Sequence, residues 1–466
     1  MLFSSIPFLY YFLPLVLLVY LIAPKKLKNT VLFVSSLVFY GWGEPIYVFL
    51  MIATVALGYV FGLLIEKYRE KPISKLFLVL SVVFPLLSLG YFKYADFFIS
   101  NFNRLTGLSV PLLKLVLPIG ISFYTFQILS YTVDVYRGVV SAQKNPINLA
   151  TYVALFPQLI AGPIVRYADI EAQLTERQHS FDKVSEGIKR FIIGLSKKIL
   201  IANTLGELCE VFMASNGLSV AFHWLFAFSY MLQIYFDFSG YSDMAIGLGK
   251  LIGFDFMENF RYPFISSSIT EFWRRWHISL GSWFRDYLYI PLGGNRVNKG
   301  RMFFNIFVVW FLTGFWHGAE WNFIIWGLYF GVLLTLEKFF FLDRIKKHRV
   351  MSHIYVLFFI AISFVIFSAD SLTGAFKLVG GMFGAGDIPL VCPEWLYNIK
   401  NYGLVLVIAS FCATEAPKKV KTFIDAKFKN RVVSDIVQII ALVLLLLIST
   451  AYLADGSFNP FLYFRF

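Results

Sequence analysis

Long apolar stretches without charged residues recur along this chain, and they restrict its fold more than any other feature of the sequence. The run Met302–Trp316 contains no charged side chain, and after His317 a second run stays uncharged from Trp321 until Glu337. A helix needs roughly 17–25 predominantly apolar residues to cross a bilayer core of about 30 Å. The chain has 466 residues, of which 58% are hydrophobic and 15% are charged, whereas soluble domains average about 45–50% and about 25%. The sequence therefore predicts an all-α, polytopic integral membrane protein.

The apolar stretches predict roughly 11–13 transmembrane helices in a single membrane domain over residues 1–466. Candidate spans lie near residues 6–23, 30–43, 45–65, 74–92, 112–134, 199–216, 220–238, 302–317, 321–341, 351–369, 401–414 and 434–454. The stretch 147–164 is interrupted by Pro157 and by Gly162-Pro163, which favours a kinked or re-entrant segment buried in protein. The first stretch lacks a small-residue cleavage site, so we expect it to be a retained span rather than a signal peptide.

The positive charge of the chain indicates membrane orientation rather than nucleic-acid binding. The formal net charge is +13, but the Lys and Arg residues cluster in short loops between apolar stretches instead of forming one stripe. Placing these loops in the cytoplasm gives about twelve crossings with both chain termini outside. The span 302–317 then runs outward, which puts His317 toward its outer half and His277 on the cytoplasmic side of the cell membrane.

The region of about 255–295 is too polar to span a membrane, because it mixes charged with aromatic residues. From Trp273 onward, Trp276, Leu280 and Phe284 fall on one helical face. We therefore expect an amphipathic helix that lies along the interface or packs beneath the spans. A turn at Gly293-Gly294 ends it.

Among the histidines, His317 is the strongest candidate for chemistry, since an ionisable residue between two apolar runs is a functional-site hypothesis by default. Gly314, Gly318 and Trp316 flank it. The alternative is an interfacial histidine in an aromatic belt. The other candidate is His277. For the remaining four we expect surface roles at His179, His348 and His353 and a structural role at His223.

The sequence points to a histidine base rather than to a protein nucleophile or a metal. It contains no GxSxG, HExxH, CxxC or phosphate-binding loop, and its three cysteines match no metal or redox spacing. We expect neither a bound cofactor nor a metal. Burial keeps an imidazole neutral, and a neutral imidazole is a competent general base that suits removal of a proton from a hydroxyl attacking an acyl thioester.

Charged residues near these histidines have two interpretations each. Arg274, Arg275 and Arg285 either anchor the inside-positive face or meet an anionic donor such as a phosphate-bearing thioester carrier. The carboxylates of Asp237, Asp243 and Glu271 more often pair with a neighbouring Arg than titrate in catalysis. The sequence alone leaves the choice for the arginines open.

Long blocks of this sequence resemble the membrane-bound O-acyltransferase (MBOAT) family, and within it the bacterial alginate O-acetylation branch. The D-alanyl-transfer proteins of teichoic acid are more distant relatives. The resemblance covers nearly the whole chain, with a motif core of about 112–342. The blocks are PIGISFYTFQILSYTVDVYRG (118–138), FPQLIAGPIVRY (156–167), FDFSGYSDMAIGLGKLIGFDFMENFRYPF (236–264), ITEFWRRWHISLGSWFRDYLYIPLGGNR (269–296) and TGFWHGAEWNFIIWGLY (313–329).

This resemblance implies a helical fold around a central funnel and tunnel, with His317 and His277 as catalytic residues. It implies an acyltransferase that moves an acetyl group from a cytoplasmic thioester across the membrane to a hydroxyl of an extracellular polysaccharide. The donor is acetyl-CoA or another acyl thioester, and the expected partner is an extracytoplasmic SGNH-type acetyltransferase. We expect substrate contacts at Trp273, Arg274, Trp276, Arg285, Trp316 and Asn322.

Two alternative functions stay open at this stage. One is acyl or D-alanyl transfer to teichoic acid or a lipid hydroxyl. The other is a transporter whose histidines line a proton or solute path. In the C-terminal tail, Tyr463 is either an acyl relay or partner-docking residue, or an aromatic interfacial anchor.

Overall fold

The structure is a computed structural model that describes residues 1–345, 347–427, 431–456 and 459. Every regular element in these ranges is helical, which confirms the predicted all-α class. Contacts divide the chain into two compact units, one of Met1–Phe191 with Ser242–Met257 and one of Ile192–Tyr241 with Glu258–Phe466. The single domain over 1–466 stays a prediction, and Tyr463 lies outside the described residues.

Unit 1 contains eight complete α-helices and the first part of a ninth. They are α1 (Leu13–Ile22), α2 (Lys28–Gly41), α3 (Tyr47–Lys67), α4 (Ile73–Thr106), α5 (Ile121–Arg137), α6 (Pro146–Ala154), α7 (Phe156–Leu159), α8 (Tyr167–Thr175) and α9 (Phe181–Ser196), with a π-helix at Phe8–Phe12 and a 3₁₀ turn at Lys25–Leu27.

Within unit 1, glycines let α3 approach the almost fully buried α5 closely. A Cβ atom on Gly58 would lie 2.6 Å from Ile128 Cδ1, and one on Gly62 would lie 2.8 Å from the hydroxyl oxygen of Tyr131. The chain breaks between α6 and α7 at Leu155, and residues 149–165 are all buried. This confirms the predicted kinked segment buried in protein at 147–164.

Unit 2 contains the remaining helices. They are α10 (Thr204–Ala214), α11 (Val220–Leu251, whose last residues belong to unit 1), α12 (Ile269–Arg275), α13 (Ile278–Phe284), α14 (Lys299–His317), α15 (Trp321–Leu336), α16 (Leu342–Ile345), α17 (Arg349–Ser368), α18 (Leu372–Met382), α19 (Pro393–Cys412), α20 (Ala416–Lys427) and α21 (Arg431–Ala454), with π-helices at Lys197–Asn203, Arg285–Tyr289 and Glu337–Phe341 and a 3₁₀ turn at Pro263–Ile265.

The helical hairpin of α14 and α15 in unit 2 is closely packed. A Cβ atom on Gly314 would lie 2.3 Å from the carbonyl oxygen of Phe323, and one on Gly327 would lie 2.3 Å from that of Trp310. Small residues at a helix interface allow such close backbone approach in membranes. Because Gly314 lies one turn before the end of α14, this contact fixes His317 against α15.

Fewer helices have the length and composition of a membrane span than the sequence predicts. Among the described residues five qualify, namely α3, α4, α15 with its π-helical end, α17 and α21, and a sixth if α19 and α20, which are bent by 74°, form one span. The other predicted spans fall on helices that are shorter or more polar. For example, the span 112–134 is helical only from Ile121, and α2 has 14 residues. The remaining predicted spans therefore stay predictions.

The single amphipathic helix predicted around Trp273–Phe284 is wrong. The chain forms two seven-residue helices, α12 and α13, that are separated at Trp276 and His277. His277 has φ 45° and ψ 54°, a left-handed conformation that interrupts a right-handed helix. The break reorients the chain at His277.

We predict that Gly314→Ala destabilises the protein more than Gly331→Ala, which places the same methyl group on the facing helix. The first methyl group would overlap a backbone carbonyl, whereas at Gly331 the nearest atom is 3.6 Å away. Overpacking of this kind costs about 1–3 kcal/mol. Thermal unfolding of the two purified variants checks this, and equal midpoints would contradict the close packing of the hairpin.

Candidate active site

A cavity of about 730 Å³ in unit 2 brings the two candidate histidines together. Its wall is built by α12, α13, the π-helix Arg285–Tyr289, α14 and the π-helical end of α15. The lining residues are Thr270, Trp273, Arg274, Trp276, His277, Ile278, Leu280, Gly281, Ser282, Phe284, Arg285, Tyr289, Asn295, Ile306, Val309, Trp310, Thr313, His317, Leu334, Lys338 and Leu342. The cavity is large enough for a small-molecule ligand, since such sites span about 300–1,000 Å³.

His317 is the last residue of α14 and is 8% exposed. Aromatic rings surround its imidazole edge-to-face, with centroid distances of 4.9 Å to Trp316, 5.1 Å to Trp326 and 5.4 Å to Phe367. A Cβ atom on Gly318 would lie 2.2 Å from the Phe323 ring, so only glycine fits where the chain leaves the helix. The imidazole is therefore held in apolar surroundings at the cavity wall.

His277 is 3% exposed and is held by polar contacts to Asn259. Asn259 Oδ1 accepts hydrogen bonds from Ser279 N at 3.1 Å and Ser279 Oγ at 2.9 Å, and His277 Nδ1 lies 3.3 Å from the same oxygen. An amide oxygen only accepts hydrogen bonds, so Nδ1 carries the proton and Nε2 carries the lone pair of the neutral ring. Ile278 N also donates to the Asn259 carbonyl oxygen at 3.0 Å, which secures the break between α12 and α13.

Burial determines the protonation state of His277, which lies outside the membrane-spanning helices. Desolvation lowers the pKa of the imidazole to about 3, because an apolar environment disfavours the charged form. The rings of Phe238 and Trp316 lie 4.7 Å and 6.4 Å from it. The ring is therefore neutral at physiological pH.

Three cations line the same cavity, and they differ in what they contact. Arg285 pairs with the neighbouring Asp286 at 2.7 Å, and Lys338 donates to Asn295 Oδ1 at 2.5 Å. Arg274 is exposed and forms no ion pair with any described residue. The side chain of Arg274 is accordingly available to an anionic group of a ligand.

The remaining predicted substrate residues divide into two groups. Trp273 and Trp276 line the cavity, and Trp273 Nε1 is a buried donor without a hydrogen-bond partner among the described residues. Trp316 and Asn322 do not line it. Trp316 packs against both histidines, and Asn322 is buried, with its Nδ2 donating to the carbonyl oxygen of Ala369 at 2.7 Å.

The carboxylates singled out in the sequence all form ion pairs. Asp237 pairs with Lys198 at 2.7 Å and Glu271 pairs with Arg275 at 2.9 Å, both within unit 2. Within unit 1, Asp243 pairs with Arg190 at 2.8 Å. The cation of the buried Asp237 pair is a lysine rather than the expected arginine.

Glu337 is a site residue that the sequence reasoning missed. Its carboxylate is fully buried and accepts hydrogen bonds from Ile269 N at 2.5 Å, Thr270 N at 2.8 Å and Thr270 Oγ1 at 2.6 Å. These are the first two residues of α12, whose N-cap Ser268 accepts from Glu271 N. A negative charge at a helix N-terminus is stabilising. In the sequence, Glu337 stands out only as a carboxylate directly after an apolar run.

Comparison with known proteins identifies relatives along the whole chain. The family model "MBOAT, membrane-bound O-acyltransferase family" matches residues 137–378. The probable alginate O-acetylase AlgI of Azotobacter vinelandii is 40% identical over 100% of both chains. The peptidoglycan O-acetyltransferase of Helicobacter pylori is 31% identical over 100% of this chain and 98% of its own. The teichoic acid D-alanyltransferase of Bacillus subtilis is 30% identical over 54% of this chain and 68% of its own.

We predict that Glu337→Gln destabilises the protein by about 1–3 kcal/mol, the usual cost of leaving a buried polar group without its partner. A Gln side chain retains one oxygen and turns an NH₂ group toward donors at the start of α12. Glu320→Gln is the matched control, because Glu320 is exposed and makes no side-chain capping bond at the start of α15. Thermal unfolding distinguishes the two, and equal midpoints would contradict the capping role.

We predict that lowering the pH from 7 to 5 destabilises the wild type more than His277→Asn. The folded-state pKa is about 3 and the unfolded value is about 6.5, so only the unfolded chain binds this proton in that interval. The contribution of His277 to the free energy of unfolding is therefore retained above pH 6.5 and decreases below it, by about 2 kcal/mol at pH 5. Asn tolerates the left-handed conformation. Unfolding midpoints at both pH values check this, with the exposed His348→Asn as control, and an unchanged pH dependence in His277→Asn would contradict it.

Proposed function

The chain belongs to the membrane-bound O-acyltransferase family, and from this premise we propose that it moves an acetyl group from a cytoplasmic thioester across the membrane for O-acetylation of an extracellular polysaccharide. It is a multi-pass cell-membrane protein and an O-acetyltransferase.

One observation carries the proposal, namely that His277 and His317 line the same cavity. Both imidazoles are buried and pack against aromatic rings, and a neutral imidazole retains the lone pair that a general base needs. The cations at the wall of this cavity provide a binding site for the negatively charged groups of a donor.

We assign the role of general base to His317. Its ring takes the proton of the acceptor hydroxyl as the hydroxyl oxygen attacks the thioester carbonyl carbon. The new C–O bond forms, the C–S bond breaks, and the leaving thiolate takes up a proton. His277 binds and orients the donor from the other side of the cavity, with its tautomer held by Asn259.

Arg274 and Arg285 are proposed to bind the donor. Acyl thioester donors such as acetyl-CoA carry phosphate groups, and guanidinium groups bind phosphate through charge-assisted hydrogen bonds. Trp273 supports this assignment, because it lines the cavity and its buried indole N–H has no acceptor among the described residues. Trp276 adds an apolar wall for the acyl chain.

The acceptor is proposed from the relatives that match the full chain. Their names describe acetylation of alginate and of peptidoglycan, both polymers that contain sugar hydroxyls. We propose a polysaccharide acceptor for this chain too, together with an extracytoplasmic SGNH-type acetyltransferase that completes the transfer. A D-alanyl group is the less favoured cargo, because the D-alanyltransferase of Bacillus subtilis matches 54% of the chain whereas the alginate O-acetylase matches all of it.

We predict that His317→Ala abolishes acetylation of the surface polymer while the protein still folds and inserts. Loss of a general base lowers the rate about 10²–10⁴-fold. His277→Ala should impair transfer more weakly, in keeping with an orienting role. The measurement is the ester content of the polymer in cells and the transfer of label from an acetyl thioester to acceptor or water by purified protein.

The exposed His348→Ala is the matched control and should behave as wild type. Unchanged ester content in His317→Ala would contradict the assignment of the base. Solute movement without cleavage of the thioester would instead support a transporter.

A further inference from the structure

A second cavity in unit 2 is lined by residues on a different face of α12 from those that line the candidate active site. Its volume is about 820 Å³, and α12 contributes Glu271 and Arg275 to its wall. The first turns of α17 and α20 form much of the rest. The lining residues are Phe264, Ile265, Ser267, Glu271, Arg275, Arg349, Ser352, His353, Leu357, Thr414, Glu415, Ala416 and Lys419.

The charges in this second cavity leave an excess of positive charge. Glu271 and Arg275 neutralise each other at 2.9 Å. Arg349 and Lys419 form no ion pair with any residue in the described part of the chain. Glu415 is the one further carboxylate among the lining residues, so it offsets one of these two positive charges. The cavity therefore carries a net charge of about one positive unit. A ligand with one negative charge would balance it.

Two helices begin at this cavity, and neither has an acidic residue in its first turn, although Glu415 directly precedes α20 and its carbonyl oxygen accepts from Lys419 N at 3.1 Å. Helix α17 begins at Arg349 and α20 at Ala416, with Lys419 in the first turn of α20. A helix N-terminus carries a partial positive charge that stabilises anions and disfavours cations. The start of α17, with Arg349 in its first turn, is therefore stabilised by a bound anion, and Lys419 adds a second cation from the first turn of α20.

The apolar part of the cavity indicates what kind of anion fits. Phe264, Ile265 and Leu357 line one side, and α17 continues as a membrane-spanning helix that exposes Val350 and Ile354. The polar groups therefore lie at the end of a helix whose exposed side chains are apolar. An amphiphile with a charged head and an apolar tail matches this arrangement, in which polar groups lie at the helix end and apolar side chains lie along the helix. Basic pockets between membrane helices are known to bind lipid headgroups.

We propose that this cavity binds the phosphate diester headgroup of a singly anionic phospholipid, such as phosphatidylglycerol. Arg349, Lys419 and the start of α17 hold the phosphate, and the acyl chains lie along the exposed side of α17. The predicted orientation places these basic loops on the cytoplasmic side of the membrane. Because α12 lines both this site and the candidate active site, the bound lipid also supports the helix that carries Trp273.

The test is native mass spectrometry of the purified full chain titrated with phosphatidylglycerol. The double variant Arg349→Gln, Lys419→Gln should bind about 25-fold more weakly, since each cation near a lipid phosphate contributes about five-fold in affinity. Glu415→Gln should bind more tightly, because it removes the opposing charge. Lys421→Gln is the matched control on the exposed part of α20, and its affinity should be unchanged.

Several results would overturn the proposal. Unchanged affinity of the double variant, or an equal loss in Lys421→Gln, would show that lipid does not use this cavity. Equal binding of phosphatidylcholine would show that the site does not select a net negative charge. Displacement of the lipid by millimolar inorganic phosphate would identify a free-anion site instead. Circular dichroism of each variant confirms that loss of binding is not loss of folding.

Discussion

The buried carboxylate of Glu337 holds the two halves of the candidate active site together. It lies in the π-helical extension of α15 and accepts the hydrogen bonds of the first two backbone N–H groups of α12. Helix α15 packs against α14 through Gly314 and Gly327, so it fixes His317, whereas α12 leads directly to His277. A buried carboxylate is costly unless its oxygens have donors. The elements that carry the two histidines are therefore held in one arrangement.

Helix α12 is only seven residues long, yet it faces two different cavities. Trp273 and Arg274 line the candidate active site, while Glu271 and Arg275 line the proposed lipid site. A helix this short is not stable by itself and depends on what packs around it. If both proposals hold, phospholipid in one cavity and acyl donor in the other act on the same helix, which links membrane composition to acyl transfer.

The sequence predicts those features that depend on local composition. Apolar stretches reveal an all-α membrane protein, and an ionisable ring between two such stretches singles out His317. The break at His277 is different, because Trp273, Trp276, Leu280 and Phe284 continue one helical face through it. The interactions that stabilise the break come from Asn259, 18 residues away, and from Glu337, 68 residues from the start of α12. Hydrogen bonds over such separations leave no periodic pattern. The number of membrane spans stays a prediction, because only five or six helices among the described residues have the length and composition of a span.

The most direct test is a cryo-electron microscopy structure of the protein with a thioether analogue of acetyl-CoA, in which the bond that would break is replaced by a stable one. We predict density for the analogue in the cavity between His277 and His317, with its carbonyl group beside the His317 ring and its phosphates toward Arg274. Density for the analogue outside this cavity, or a His317 ring that faces lipid, would contradict the assignment of this cavity as the site of acyl transfer.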